Sequence, residues 1–313
     1  MKKNEAFLPT WHAHLGYSLK LFDHFGKATT IDEVAQQGFN KKLLTRWVEV
    51  GLAVGHLKKC RRGKWKTKRK ILRYLSKDSP DSIGILLKEM MELHIPTLLS
   101  YRDLMVGNDV DLLERNYENT VAETSRLLET LAFPKVYHLI KNEKIQSVLD
   151  FGCGHGGYLK RIHEKNNALQ LTGIEIDEQV AKKARSSCKE ASIMIEQRDL
   201  MTYQAHKPVD LVMMNNLLYY FSTEDRARLF KQASKALYPK GFLTIMSPLN
   251  GKENIQPFTS AFNSFMSAHE QMFPIPTKEE LTEYGKNIDF QLKQIKPIIK
   301  EGGWYVIVFQ KEK

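Results

Sequence analysis

Cysteine is scarce in this chain, and its three copies form no recognisable pattern. Cys60, Cys153 and Cys188 lie far apart and include no C-x-x-C pair. This spacing gives neither the dense cysteine framework of a small secreted domain nor the paired ligands of a zinc ribbon. We therefore expect reduced thiols and a protein of the cytoplasm.

Long apolar runs are also absent. No stretch approaches the ~18 to 20 apolar residues that a membrane helix requires. The segment before Trp11 and His12 is basic and contains no apolar core of signal-peptide length. The expectation is a soluble, cytoplasmic protein that does not enter a membrane, and 313 residues are enough for two domains with cores of their own.

Acidic residues are missing from residues 58–73, which carry ten Lys or Arg. These cations account for nearly all of the net charge of +11, so the rest of the chain is close to neutral. Such a cluster is typical of a surface that contacts a polyanion, and Trp65 within it could stack on a base or a sugar. The alternative is a solvated edge that guards against aggregation.

The first part of the chain, residues 1–142, has the pattern of successive helices. Thr30 precedes acidic residues and predicts a helix N-cap. A second helix carries apolar residues at helical spacing, and the basic stretch follows it. Helix, turn, helix and basic hairpin is the order of a winged helix-turn-helix, with residues 58–73 as the wing. We assign residues 1–142 to an all-helical winged-helix domain, whose later apolar helices favour a subunit contact.

From residue 143 to 313 the pattern alternates between short apolar runs and amphipathic segments. Strands of continuous Val, Leu, Ile and Met, each followed by a helix, indicate a parallel sheet covered on both faces. Two final strands without a helix between them predict a C-terminal antiparallel hairpin. The fold class is therefore α/β, a Rossmann-like doubly wound sheet.

The most informative segment reads VLDFGCGHGGYL, residues 148–159. It follows a strand and opens a helix, and Gly152, Gly154 and Gly157 satisfy the G-x-G-x-x-G spacing of dinucleotide-binding proteins. Asp150 argues against a dinucleotide, because a carboxylate at the strand end would repel its pyrophosphate. The same carboxylate suits a ligand with an ammonium or a sulfonium group, and S-adenosylmethionine carries both.

Polar residues end the following strands too. Glu175 ends the second strand, where a carboxylate can accept hydrogen bonds from both ribose hydroxyls. Asp199 ends the third, in position to contact an adenine amino group, and Asn215 and Asn216 end the fourth. Ligands of such sheets lie across the carboxyl ends of the strands, so these residues should share one site.

At these residues the chain resembles the class I S-adenosylmethionine-dependent methyltransferases, and the helical part resembles the dimerisation domain of small-molecule O-methyltransferases. The resemblance implies S-adenosylmethionine as cofactor, a small-molecule acceptor and a homodimer formed through the N-terminal helices. It implies a methionine-binding role for Asp150, Gly152 and Gly154, a ribose-binding role for Glu175 and an adenine-binding role for Asp199 with Leu200. The full set of implied cofactor-binding residues is Asp150, Phe151, Gly152, Cys153, Gly154, Glu175, Ile176, Asp199, Leu200, Asn215 and Asn216.

The catalytic group is less clear. Plant-type O-methyltransferases, which this part resembles, carry a His shortly after the fourth strand, but here that segment reads NNLLYYFSTED. His269 is the best remaining general base, and a surface histidine on a helix is an equally good interpretation. Tyr219 could line the pocket or hydrogen-bond the acceptor. His12 and His14 form an H-x-H pair without a third ligand, so we expect no metal site.

Three functions fit these residues. The leading hypothesis is methyl transfer to a small molecule in specialised metabolism, by positioning and desolvation with or without a general base. A methyltransferase acting on RNA or DNA through the basic wing is the second, although the fourth strand lacks the Asn/Asp-Pro-Pro-aromatic signature of enzymes that methylate base amines. The third is a ligand-sensing regulator without catalysis.

Overall fold

The computed structural model describes residues 5–110, 112, 118–189, 191–251, 256–299 and 303–313. Contacts divide the chain into two compact units, Met1–Leu127 and Leu128–Lys313. The predicted boundary lies at residues 142 and 143, so residues 128–142 belong to the first predicted domain but to the second compact unit. The division into domains 1–142 and 143–313 stays a prediction. Within the described ranges, no helix combines the length and the apolarity needed to span a membrane.

The first unit is mostly helical. Its elements, in chain order, are α1 (Phe7–Ser18), α2 (Leu21–His24), α3 (Ile31–Ala35), α4 (Lys41–Ala53), β1 (Leu57–Lys59), β2 (Trp65–Thr67), α5 (Arg69–Leu75), α6 (Gly84–Glu89), a π-helical turn (Met90–His94), α7 (Ile95–Leu99) and α8 (Tyr101–Leu104). The long helix α9 (Glu118–Asn142) begins in this unit. Between α4 and α5, β1 and β2 pair as a small antiparallel sheet, where the sequence predicted a hairpin within the otherwise helical domain.

The predicted N-cap at Thr30 is confirmed. Its side chain accepts a hydrogen bond from the Glu33 amide, and the Glu33 carboxylate accepts one from the Thr30 amide, which completes a capping box. Helices α1 to α4 bury a core that includes Phe22, Phe25 and Trp47. Helix, helix and hairpin follow in the predicted order, whereas the name winged helix stays a prediction.

The hairpin of β1 and β2 rests on this core through its apolar residues. Leu57 is buried, and Trp65, which the sequence offered as a base-stacking residue, packs against the core instead. Thr29 and Trp65 exchange two backbone hydrogen bonds, of 3.1 and 2.7 Å, so β2 is also anchored on its other side.

The second unit has the predicted alternation of strands and helices. After α9 come β3 (Ser147–Phe151), α10 (Gly157–Lys165), β4 (Gln170–Glu175), α11 (Glu178–Ser187), β5 (Ile193–Gln197), β6 (Val209–Asn215), a 3₁₀ turn (Leu218–Tyr220), α12 (Thr223–Ala236), β7 (Leu237–Pro248), α13 (Pro257–Ser267), α14 (Lys278–Lys286), β8 (Phe290–Ile299) and β9 (Trp304–Lys311).

These strands form one seven-stranded sheet in the order β5-β4-β3-β6-β7-β9-β8. The five strands from β3 to β7 pair in parallel, and β9 pairs antiparallel with both β7 and β8. The predicted C-terminal hairpin is confirmed. Its second strand, β9, lies between β7 and β8, and its first strand, β8, forms the edge of the sheet. The chain order reverses at β3, between β4 and β6, which is where ligands bind in such sheets.

Candidate active site

The loop between β3 and α10 is shaped by glycines. Gly152, Gly154 and Gly156 have φ values of +68°, +53° and +75°, in the left-handed region that side chains disfavour. A Cβ at Gly152 would lie 2.7 Å from Leu217 Cδ1, whereas a Cβ at Gly154 would meet nothing within 4 Å. The main chain at Gly154 is therefore open for the close approach of a ligand.

Asp150 lies under this loop, at the second-last position of β3. It is 2% exposed, and its Oδ1 accepts a hydrogen bond from Asn215 Nδ2 at 3.3 Å. Burial, the charge of Glu129 and, to a smaller extent, that of Glu175 raise the pKa of the Asp150 carboxyl well above its ordinary value. The site therefore gains from a ligand that brings positive charge.

Asn215 adds an unsatisfied hydrogen-bond acceptor next to Asp150. Its Oδ1 is buried and has no hydrogen-bond partner within the described part of the chain. A buried acceptor without a donor is costly, so it favours a ligand that carries N–H groups. Asp150 and Asn215 together thus match the ammonium and sulfonium charges of S-adenosylmethionine, and the residues present fit this cofactor.

Glu175 closes the other side of the glycine loop. Its two carboxylate oxygens accept hydrogen bonds from the amides of Gly154, at 3.0 Å, and Asp177, at 3.1 Å. The Arg198 amide donates to the Glu175 carbonyl at 3.0 Å, which joins the ends of β4 and β5. Glu175 thereby fixes the loop against the start of α11 with its carboxylate at the carboxyl end of β4.

Two further predicted residues flank Glu175. Ile176 is 62% exposed, which is unusual for a large apolar side chain and suits contact with a planar ring. Asp199 lies beyond β5 and is exposed, and its Oδ1 accepts a hydrogen bond from the Met201 amide at 2.9 Å. Both residues therefore lie at the same edge of the sheet as Glu175.

Three predicted cofactor residues point their side chains into the protein interior. Phe151 is fully buried, with its ring edge-on to Tyr203, and Leu200 belongs to the same core. The Cys153 thiol is buried too, and burial, with the charges of Asp150 and Glu175, raises its pKa far above that of an ordinary thiol. For these three residues only the main chain is available to a ligand.

Asn216 diverges from its neighbour Asn215. It has a φ of +51°, and its Oδ1 accepts a hydrogen bond from Trp304 Nε1 at 3.3 Å. The Trp304 ring lies 4.9 Å from the ring of Phe262 on α13. The Asn215 side chain therefore contacts Asp150, whereas the Asn216 side chain contacts an aromatic cluster that includes Trp304 and Phe262.

Tyr219 belongs to this aromatic cluster. It is 8% exposed, and its ring lies edge-on to Phe262 at 6.0 Å and tilted against Tyr220 at 4.9 Å. The 3₁₀ turn that carries it is held by the buried Arg226, whose Nε donates to the Leu218 carbonyl at 2.8 Å. The same guanidinium donates to the Pro274 carbonyl and to Glu280.

His269 follows the C-terminal end of α13. Its Nδ1 is 2.9 Å from the Phe265 carbonyl, which can only accept, so Nδ1 carries a hydrogen and the neutral ring has its lone pair at Nε2. A hydrogen bond of 2.8 Å from the Phe273 amide to the Tyr219 carbonyl joins the segment after His269 to the Tyr219 turn. The two predicted catalytic residues thus lie on segments that are joined by a hydrogen bond.

Sequence reasoning missed Glu129 and Tyr158. Glu129 on α9 forms an ion pair with Arg161, occupies the space that a Cβ at Gly157 would fill and raises the pKa of Asp150. Tyr158 is buried and its hydroxyl contacts Met246 Sδ at 3.2 Å. The sequence carried no signal for Glu129, because an acidic residue on an amphipathic helix is ordinary.

The histidine pair of α1 is split in the structure. His12 is buried, stacks on Trp47 at 4.1 Å and has Nδ1 3.0 Å from His56 Nδ1. His14 instead pairs with Glu92 at 2.8 Å. Over the described ranges, His, Cys, Asp and Glu side chains form no group of three that could hold a metal ion.

Residues 148–241 match the family described as "Methyltransferase domain". Among curated proteins, a trans-aconitate 2-methyltransferase of Escherichia coli O139:H28 is 29% identical over 111 residues, which are 36% of this chain and 42% of the relative. One from Escherichia coli O1:K1 is 30% identical over 138 residues, 44% of this chain and 51% of the relative. The chain thus spans about half or less of the relatives that it matches.

Solved structures show the same fold over nearly the whole chain. An O-methyltransferase family protein from Burkholderia thailandensis has a TM-score of 0.78 at 17% identity and covers 100% of this chain and 97% of its own. Human N-acetylserotonin methyltransferase, solved with S-adenosylmethionine, has a TM-score of 0.79 at 15% identity. The match covers 99% of this chain and 96% of the human protein's chain. Residues 148–241 of this chain therefore match a methyltransferase domain, and the glycine loop and the acids at the strand ends lie within the matched residues.

Proposed function

We propose that this protein transfers the methyl group of S-adenosylmethionine to a small-molecule acceptor. The observation that carries the proposal is the buried Asp150 beneath an open glycine loop, next to Asn215 Oδ1, which has no hydrogen-bond partner among the described residues. A nicotinamide dinucleotide would instead place phosphates against Asp150 and Glu175, and like charges in a buried site oppose binding.

The cofactor, when bound, supplies a methyl group that its sulfonium already activates. The chain's own contribution is to hold and orient it. Asp150 would balance the positive charge, the Gly154 main chain would approach the methionine moiety, and Glu175 would accept from the ribose hydroxyls. Ile176 would cover the adenine, and Asp199 would accept from its amino group. Positioning and exclusion of water then account for most of the rate enhancement.

The aromatic cluster of Tyr219, Phe262 and Trp304 is the proposed wall of the acceptor pocket. These rings suit an apolar, planar acceptor. His269 would take a proton from an acceptor hydroxyl or amine through Nε2, because its Nδ1 is engaged with the Phe265 carbonyl. Tyr219 would hydrogen-bond the acceptor. The names of relatives also point to small acceptors, since trans-aconitate and N-acetylserotonin are both small molecules.

Calorimetric titration tests the cofactor assignment directly. We expect the wild-type protein to bind S-adenosylmethionine and S-adenosylhomocysteine, and not NADH. Glu175→Ala should weaken binding at least about tenfold, because a lost hydrogen bond to a charged group costs about 1.5 kcal/mol or more. The matched control is Glu178→Ala, an exposed acid in the first turn of α11.

Two results would contradict the proposal. Equal affinity of Glu175→Ala and the wild-type protein would remove the ribose assignment, and tight binding of NADH would replace the cofactor. Release of S-adenosylhomocysteine from incubations with a panel of hydroxylated and amino aromatic compounds then tests turnover. A protein that binds the cofactor and turns over none of them would favour the ligand-sensing alternative.

We also propose that the protein is a cytoplasmic homodimer, working in specialised metabolism, that associates through its N-terminal helices. Support comes from Leu99, Met105 and Val106 at the end of α7 and after α8, which are 71 to 80% exposed. Apolar side chains that are so exposed and so close in sequence favour a subunit contact. Light scattering should give a dimer, and Leu99→Glu with Met105→Glu should give a monomer that still binds the cofactor.

A further inference from the structure

The hairpin of β1 and β2 and the start of α5 form a surface that methyl transfer does not use. We call residues 58–73 the basic hairpin, as they carry ten cations and no acid. None of these cations is buried. Eight are exposed, and one of these, Arg73, is paired with an acid; the other seven are Lys58, Lys59, Arg61, Arg62, Lys68, Arg69 and Lys70.

The cations of the basic hairpin are mostly without acidic partners. Within the described residues, Arg73 is the one member whose side chain forms an ion pair, with Asp81 at 2.7 Å. Elsewhere in the same unit several cations are paired with acids, as Lys20 is with Asp78 and Lys41 with Asp32. The charge of Lys64 contributes slightly to lowering the pKa of Glu33, but the Glu33 carboxylate is hydrogen-bonded to Thr29 and Thr30 and not to Lys64. The hairpin thus projects uncompensated positive charge.

The strand register concentrates this charge on one face. Lys64, Lys66 and Lys68 alternate with Trp65 and Thr67. Side chains alternate across a strand, so Lys66 lies on the face of β2 opposite to Trp65 and Thr67, and Lys64 and Lys68 flank the strand on either side. Lys66 also lies directly across from Lys58 on β1, and like charges at opposite positions destabilise a hairpin. A bound polyanion would relieve that repulsion.

The scaffold beneath the lysines is fixed before any partner arrives. Thr67 donates from its amide to the Phe25 carbonyl at 2.8 Å and from its hydroxyl to the Phe22 carbonyl at 2.9 Å. Thr29 and Trp65 are bridged, and Leu57 is buried in the core. Cations on a preformed scaffold lose less conformational entropy on binding than cations on a mobile tail.

We propose that the basic hairpin is a docking surface for the phosphate backbone of a nucleic-acid duplex, bound without sequence preference. A two-stranded ribbon can enter a major groove, and lysines neutralise phosphates as point charges. Sequence preference is not expected, because Trp65 packs against the core and its ring already contacts the Lys59 ammonium, 5.8 Å from the ring centroid. A membrane surface is less suitable, since the turn from Cys60 to Lys64 presents no large apolar side chain for insertion.

The experiment measures fluorescence anisotropy of labelled, mixed-sequence 30-base-pair duplexes of DNA and of RNA, with the full chain, between 50 and 300 mM KCl. The test variant is Lys64→Gln with Lys66→Gln and Lys68→Gln. The matched control removes three exposed cations from α12 and α14 of the second unit: Lys231→Gln, Lys235→Gln and Lys278→Gln.

The expected result is duplex binding that weakens steeply with salt. Loss of three phosphate contacts should flatten the slope of log affinity against log salt by roughly 3 and lower the affinity at least about tenfold at 100 mM KCl. The control should bind like the wild-type protein. Binding to one duplex type alone would identify which nucleic acid is the partner.

Three outcomes would overturn the proposal: no duplex binding by the wild-type protein, equal binding by the hairpin variant, or equal loss in the control. Binding to vesicles with 30% phosphatidylserine but not to duplexes would assign the surface to membranes instead. Circular dichroism and S-adenosylmethionine binding of the hairpin variant exclude misfolding. The outcome is independent of methyl transfer, because the hairpin lies in the first unit and the cofactor site in the second.

Discussion

Replacing Asp150 by Asn should strengthen the fold while weakening the cofactor site. The carboxyl of Asp150 is 2% exposed, and burial and neighbouring acids raise its pKa well above the ordinary value of 3.8. An acid whose pKa is raised in the folded state favours folding most at low pH, and this contribution is lost as the pH rises through the raised pKa. The neutral amide of Asp150→Asn avoids that loss and can keep a hydrogen bond with Asn215.

Without ligand the fold favours a neutral side chain at position 150, whereas the bound cofactor favours a charged one. A bound cation favours the ionised carboxylate, so S-adenosylmethionine should bind with release of a proton at any pH between the ordinary and the raised pKa of Asp150. Affinity should therefore rise with pH across that window. Removing one partner of a buried charge pair costs about 2 to 5 kcal/mol, which is roughly 30-fold to several thousand-fold in Kd.

Two measurements are needed. Calorimetry in buffers of different ionisation enthalpy gives the affinity and the number of protons released, and differential scanning calorimetry gives the Tm without ligand. We expect Asp150→Asn to raise the Tm at pH 8, to lower cofactor affinity at least about 30-fold and to abolish proton release. The control is Asp210→Asn, a carboxylate at the amino end of the same sheet that accepts from the Gln146 and Ser147 amides.

The control separates the two effects. Asp210→Asn should lower the Tm, because its backbone hydrogen bonds are weakened, and leave cofactor affinity unchanged. The reasoning is refuted if Asp150→Asn lowers the Tm at pH 8, or if it binds S-adenosylmethionine as tightly as the wild-type protein. Cofactor binding without proton exchange at any pH from 4 to 8 would also refute it.

Three other predictions concern the loop, the base and the helical core. Gly152→Ala should cost at least about 1–2 kcal/mol of stability by denaturant unfolding, since its φ is +68°, and adding Leu217→Ala should recover only the part due to the clash. His269→Asn should lower kcat about 10²- to 10⁴-fold with any accepted substrate and leave cofactor Kd unchanged, whereas an unchanged kcat would return His269 to a surface role. Burial and the charge of His56 lower the pKa of His12 from 6.5 to about 3. Up to about 5 kcal/mol of folding stability should therefore be lost as the pH falls from 6.5 to 3. The variant His12→Phe should unfold at a lower pH than the wild-type protein, as measured by tryptophan fluorescence. An identical acid transition in that variant would count against this origin.

The sequence by itself determined the α/β class, the glycine loop and the acids at the strand ends. These features are local: apolar runs of strand length and the spacing between Asp150 and the glycines can be read without knowing which strands are neighbours. The Thr30 cap and the final hairpin were predicted for the same reason, because each depends on residues that are close in the chain.

Only the tertiary structure decided which of these residues act together. Strand order brings Asn215 to Asp150, 65 positions away, and turns Asn216 to Trp304 instead. Glu129 reaches the glycine loop from a helix before the sheet, and Trp65 packs inward rather than toward a partner. Such contacts follow from burial and packing between distant segments, and the residue pattern of one segment cannot specify them.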